Sequence, residues 1–107
     1  MVYTGFNEKV LTFDCEGTVN AGDLVIIHSS GTVKKAPADS DFAGVCLSVE
    51  DGCAAVQVEG YVYCPKSGTI NVGFQKISAA AGAVKANANG REHLVLVSDS
   101  TNVGFLL

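Results

Sequence analysis

Val19–Ala36 reads VNAGDLVIIHSSGTVKKA, and Ile70–Asn87 reads INVGFQKISAAAGAVKAN. The second stretch follows the first by 51 positions without a gap. Asn20 falls on Asn71, Gly22 on Gly73, Ile26 on Ile77, Gly31 on Gly82, Val33 on Val84 and Lys34 on Lys85. After one deletion the match resumes, with GVCLS (Gly44–Ser48) against LVLVS (Leu94–Ser98). The repeated positions are turn glycines and aliphatic residues, which are the parts of a scaffold. Asn20/Asn71 and Lys34/Lys85 are the polar exceptions, and nothing in the duplication looks like chemistry.

Working outward, short apolar runs recur every 8 to 12 residues between turn signals, and no stretch keeps a helical period. This pattern predicts an all-β protein, a small β-barrel or β-sandwich built from two repeated strand-turn-strand units. The expected strands are Lys9–Phe13, Asp23–His28, Thr32–Ala36, Ala43–Glu50, Cys53–Cys64, Phe74–Ser78, Ala83–Asn87, His93–Ser98 and Val103–Leu107. Ala79–Gly82 (AAAG) invites a helix, but it aligns with the turn His28–Gly31 (HSSG) and is read as a turn. Gly31 and Gly82 are expected at positive φ, which glycine adopts without a Cβ clash. Residues 1–13 form an N-terminal arm and first strand, and 14–107 a single β-barrel domain.

Asp51-Gly52 is the sharpest local signal. Between alternating apolar runs, Asp-Gly favours a type I′ hairpin. The register that follows sets Glu50 opposite Cys53, Val49 opposite Ala54, Leu47 opposite Val56 and Val45 opposite Val58. Val45, Leu47, Val49, Ala54, Val56 and Val58 then share a buried face, with Cys46, Ser48, Glu50, Cys53, Gln57 and Glu59 on the other.

The 107 residues carry a net charge of −4, with 48% hydrophobic and 17% charged residues. A chain this long is one domain and can bury a core without a cofactor. So few charges point to a surface covered by something else, hence a homo-oligomer or a larger assembly. Lysines and arginines do not cluster, which argues against nucleic acid. No apolar run approaches a membrane span, and MVYTGFNEKVLTFD lacks the basic and apolar regions of an export signal. Cys15, Cys46, Cys53 and Cys64 match no zinc spacing, and no bridging framework is evident. They read as free thiols acting as small apolar residues. His28 and His93 stand at strand ends and read as surface or capping residues. No cofactor, metal or catalytic residue is expected, and Gly-rich phosphate loops and a nucleophile elbow are absent.

At AGDLVII, GTVKKA, FAGVCLSV, GCAAVQVEGYVYCPKSGTINVGF and AGAVKA the chain resembles the capsid decoration (cement) proteins of bacteriophage heads. The likeness rests on Gly22, Asp23 and Val25; Gly31, Val33 and Ala36; Gly44 and Val45; Ala54, Val56, Val58 and Gly60; Pro65 and Lys66; and Gly73, Gly82 and Val84. It covers about Val19 to Val97. The second unit departs from the pattern, since Phe74-Gln75-Lys76 replaces Asp23-Leu24-Val25 and Leu94-Val95 replaces Gly44-Val45.

The resemblance implies a structural virion protein and not an enzyme. Made in the bacterial host cytoplasm, it would sit on the outer capsid surface, often as a trimer, and stabilise contacts between subunits of the major capsid protein. Tyr3 and Phe6, in the arm Met1–Asn7, are the candidate capsid contacts, expected to order on binding. The alternatives are a carbohydrate- or receptor-binding β-module of a head or tail fibre, with Tyr61 and Tyr63 as the sugar-stacking candidates, and a small enzyme with a pocket of convergent titratable groups.

Overall fold

The computed structural model describes residues 9–107. Ten strands follow one another: β1 (Lys9–Cys15), β2 (Leu24–Ser29), β3 (Thr32–Lys35), β4 (Gly44–Glu50), β5 (Cys53–Glu59), β6 (Tyr61–Pro65), β7 (Gly73–Ala80), β8 (Ala83–Ala86), β9 (Arg91–Ser98) and β10 (Asn102–Leu106). The first five close into a barrel in the order β1-β3-β2-β4-β5, and the last five form a sheet in the order β6-β10-β9-β7-β8. The fold is all-β, as the spacing of apolar runs and turns implies.

The duplication extends through most of both halves. In the first, β1 and β3 run parallel with Cys15 opposite Val33, and Glu16 N donates to Val33 O. In the second, Lys66 bridges Val84 in parallel, and Ser67 N donates to Val84 O. The pair Leu11–Val56 recurs as Val62–Phe105, and Phe13–Ala54 as Cys64–Val103. One difference is chemical. Asp14 N donates to Gly31 O, but the aligned residue is Pro65, which has no N–H. The β6–β8 seam is one bridge, and the second sheet stays open where the first closes. Gly31 and Gly82 both occupy positive φ, at 75° and 96°, in equivalent returns, and Ala79–Gly82 is the end of a strand and a turn.

Two apolar cores result. Val19, Val25, Val33, Cys46, Ala54 and Val56 fill the first barrel. The larger core joins the inner face of the second sheet, including Val62, Ile77, Val84, Val95 and Phe105, to Leu24, Ala36, Phe42 and Val45 of the first half. Strands β2 and β4 therefore bury both faces, one in each core.

This double burial corrects the hairpin register. Asp51 and Gly52 both take positive φ (52° and 77°), and Glu50–Cys53 and Val49–Ala54 pair as expected. The ladder then slips at Leu47: Cys46 opposes Val56 and Val45 opposes Gln57. Cys46 is 1% exposed and Leu47 46% exposed, the reverse of the expectation. Gln57 is also buried, its amide donating to Glu59 O at 3.0 Å and Tyr61 O at 2.8 Å, and Val58 is half-buried. The cause is the pairing of Leu24 with Val45, which turns Val45 out of the barrel and into the larger core. A one-residue bulge allows Val45 and Ala54 each to be buried. An equivalent slip sets Val95 opposite Phe105, so Cys46 corresponds to Val95, one place off the alignment of Gly44–Ser48 with Leu94–Ser98.

Two further expectations change. Cys53–Cys64 is two strands, broken at Gly60, whose φ of 94° interrupts the extended backbone. His93 is neither a surface nor a capping residue. It is buried inside β9, its Nδ1 is 2.8 Å from Leu106 O, and its ring stacks on Phe42 at 5.3 Å and meets Phe105 edge-on at 5.4 Å. His28 is exposed, at the bulge that lies between Ile27 and Ser29.

Candidate interaction surfaces

Exposed large apolar side chains occur in both halves, Val10, Leu11, Ile27, Leu47 and Val49 in the first, and the second half carries its aromatic ones on the outer face of its sheet. A sheet with one face packed on a core ordinarily turns polar residues to water on the other. Here the register puts Tyr63 beside Gly104 and Val97, Tyr61 beside Leu106, and Phe74 beside Leu94 on the outer face. Phe74 is 70% exposed, and Val72, Tyr63 and Leu106 are also exposed. Lys76 and Glu92, paired across β7 and β9, border the apolar area.

Local chemistry holds two tyrosines in place. Tyr61 lies across Gly104 so closely that a Cβ there would overlap its ring. The Tyr63 hydroxyl donates to Asp99 Oδ2, while Asp99 Oδ1 accepts from Thr101 N at 2.9 Å and Asn102 N at 2.7 Å. These donors, Tyr63 first, pull the Asp99 carboxyl down to about 2. The same hydrogen bond raises the Tyr63 phenol. Tyr63 is thus a fixed, half-exposed ring whose polar end is already occupied.

Beside Phe74 an open groove is lined by Gln75, Lys76, Asn87 and Glu92. Of its amides, Gln75 donates to Val72 O at 3.1 Å, and Asn87 donates to Ser78 Oγ at 3.0 Å and accepts from Asn89 N at 2.9 Å. Tyr61 and Tyr63 are therefore not the sole sugar-stacking candidates, because Phe74 presents the more open ring.

A second hollow lies on the outer wall of the first barrel, between Thr12, Ser48, Glu50, Asp51, Cys53 and Ala55. Cys53 Sγ approaches Asp14 Oδ1 at 3.6 Å, and desolvation, followed by Asp14, raises its pKa. Burial, and after it Cys15, raises that of Cys46, and burial alone raises Cys64 to about 12. These three environments favour the neutral thiol, whereas nucleophilic cysteines need the thiolate. All four cysteines are free thiols. Among the described residues no group of three or more His, Cys, Asp or Glu side chains could hold a metal ion.

Tyr3 and Phe6 lie outside the described residues. Sequence reasoning missed Val72 and Phe74 as a surface pair, although their alternation and the replacement of Asp23 by Phe74 in the repeat were the available signal. Compared with known proteins, no family model and no curated sequence matches this chain.

Proposed function

We propose that this chain is a structural protein of a bacteriophage head, a decoration protein that binds the outer capsid surface and stabilises contacts between major capsid subunits. The observation that carries the reading is the apolar outer face of β6, β10, β9 and β7, centred on Tyr63, Leu106 and Phe74. Together with the resemblance over Val19–Val97, it supports a protein that works through buried area. Contiguous exposed apolar area marks interaction sites, and aromatic residues are enriched in binding interfaces. The held ring of Tyr63 has less freedom to lose on docking.

The test is co-sedimentation with expanded heads stripped of accessory proteins, comparing the native chain with Phe74→Glu and Tyr63→Ser. Both substitutions lie on the exposed face and leave the two cores intact. The reading requires saturable binding by the native chain and its loss in Phe74→Glu. Equal binding by all three chains would remove the face from the contact, and no binding by any would remove the function.

A second reading, a carbohydrate- or receptor-binding module, is favoured by the groove at Phe74. Its ring stands beside Gln75, Lys76 and Glu92, the combination of an apolar plate and polar neighbours that a sugar ring uses. Chemical-shift changes at Gln75 and Glu92 on adding bacterial surface oligosaccharides, absent in Phe74→Ala, would establish it. No shift at millimolar sugar would reject it.

A further inference from the structure

Of the six asparagines in this chain, Asn89 alone is followed by glycine. Alanine follows Asn20 and Asn87, and valine follows Asn71 and Asn102. The pairing matters because the side-chain amide carbon of an asparagine lies within a five-membered ring of the next backbone nitrogen. A side chain on the next residue obstructs that ring, and glycine has none.

The turn that joins β8 to β9 fixes this pair for its own reasons. Gly90 N donates to Asn87 O at 2.9 Å, and Asn89 N donates to Asn87 Oδ1 at 2.9 Å. Asparagine and glycine both suit such a turn. Packing independently requires the glycine, since a Cβ at position 90 would overlap the Ile77 carbonyl. No side chain can therefore shield the Gly90 nitrogen.

The asparagines differ in their surroundings as well. Asn87 is held at both ends of its amide, donating to Ser78 Oγ at 3.0 Å and accepting from Asn89 N. Asn102 lies within β10 and is half-buried. Asn89 is exposed, and no described residue hydrogen-bonds its side-chain amide.

We infer that Asn89-Gly90 is a site of spontaneous covalent modification, converting to aspartyl and isoaspartyl forms in the folded chain. Gly90 N gives its proton to water or hydroxide and attacks Asn89 Cγ. A new N–Cγ bond forms, the Cγ–Nδ2 bond breaks, and ammonia leaves. Water then opens the cyclic imide. Opening at Cγ yields aspartate, and opening at the main-chain carbonyl yields isoaspartate, in which the chain runs through Cγ. Water is the only co-reactant, and nothing is oxidised or reduced.

Either product adds a negative charge to a chain whose net charge is −4. The charge appears on the loop whose Asn87 and Ala88 line the groove beside Phe74. The isoaspartyl form also lengthens the main chain by one methylene, which alters the spacing of the two hydrogen bonds to Asn87. The fold supplies a brake, because the bond from Gly90 N to Asn87 O must open before the nitrogen attacks. Opening one exposed turn costs much less than unfolding the whole chain. The inference rests on neither reading of the function.

The test is to hold the folded chain in warm, mildly alkaline buffer and map the products by peptide mass spectrometry, with an isoaspartyl methyltransferase assay as the second readout. A parallel sample in denaturant measures the reaction without the fold. The peptide containing Asn89 should gain one mass unit and split into two chromatographic forms, one of them a methyl acceptor. Those containing Asn20 and Asn71, which are also exposed, should lag well behind. Asn89→Gln should remove the signal, and the denatured chain should react faster than the folded one. Two results would overturn the inference. One is an Asn89 that stays intact in the folded chain while the denatured chain converts completely. The other is conversion of Asn20 or Asn71 at the rate of Asn89 in the native chain, a result that needs no variant to fold.

Discussion

Leu11 and Val62 occupy the same place in the two halves of this molecule, as do Ile27 and Ala79, yet one of each pair stands open and the other is buried. The halves share the parallel seam, the slip in the fourth strand and the glycine returns. What separates them is a neighbour, since the segment ending at Phe42 lies on the second half and nothing described lies on the first. A repeat can therefore fix a fold twice and still leave two different surfaces. The second half also exposes the aromatic Tyr63 and Phe74, where the first half has Thr12 and Asp23 in the repeat and exposes the aliphatic Val10, Leu47 and Val49. Function in this chain is read most directly where the copies diverge.

The sharpest way to break the comparison is to remove its most buried anchor. Phe105→Ala should cost about 3–5 kcal/mol, the range for losing a buried aromatic side chain. Leu11→Ala, on the strand that aligns with Phe105's neighbour β6, should cost about 1 kcal/mol or less. Denaturant midpoints at unchanged slope would measure both. Similar costs would mean that the two halves are equally closed at these positions.

A smaller effect is expected at Gly44. A Cβ there would meet Val56 Cγ1 at 2.9 Å and crowd the Gln57 carbonyl, so Gly44→Ala should cost about 1–3 kcal/mol by overpacking. Gly17 has open space around it, and Gly17→Ala should show only the strain of its positive φ. Thermal unfolding would separate the two, and equal shifts would show that the β4–β5 contact yields freely.

Much of this difference was hidden in the sequence for physical reasons. The turn glycines and Asp51-Gly52 announce the hairpins because few other residues accept positive φ, so the all-β class and the repeat were legible. The alternation Val45, Leu47, Val49 was legible too but misleading. It marks a buried face only if the other face is wet, and β4 buries both Val45 and Cys46. Periodicity cannot show a bulge that sorts residues between two cores. His93 was misread because its partners Phe42 and Phe105 are distant in sequence. The exposed pair Val72 and Phe74 has the same pattern as a core strand, and only the three-dimensional register shows which side faces water.

Two titrations sharpen the comparison further. Cys64, inside the second half, has its pKa raised to about 12 from 9.0 by burial. A thiol held neutral in the folded chain stabilises it fully below the unfolded value, and that contribution is lost as pH rises from 9 towards 12. Stability should fall over this window, and less steeply in Cys64→Ala. An unchanged slope would mean that the thiol is hydrated.

The smallest effect is expected at Asp99. Its carboxyl is pulled down to about 2 from 3.8, so its contribution is present above the unfolded value and lost as pH falls towards 2. Asp99→Asn should flatten the acid limb of the stability profile between about pH 4 and 2, by lowering stability at neutral pH and leaving it nearly unchanged at about pH 2. An identical acid limb in the variant would show that Tyr63 is not held by Asp99.

The central functional claim is that the outer face of the second sheet is the surface that meets the capsid. Hydroxyl-radical footprinting of the chain, free and bound to expanded heads, tests it residue by residue. The account predicts that Tyr63, Phe74 and Leu106 are labelled in the free chain and protected on the head, while the buried Phe42 and Phe105 stay unlabelled in both. Equal labelling of Phe74 and Tyr63 in the free and bound chain would contradict it.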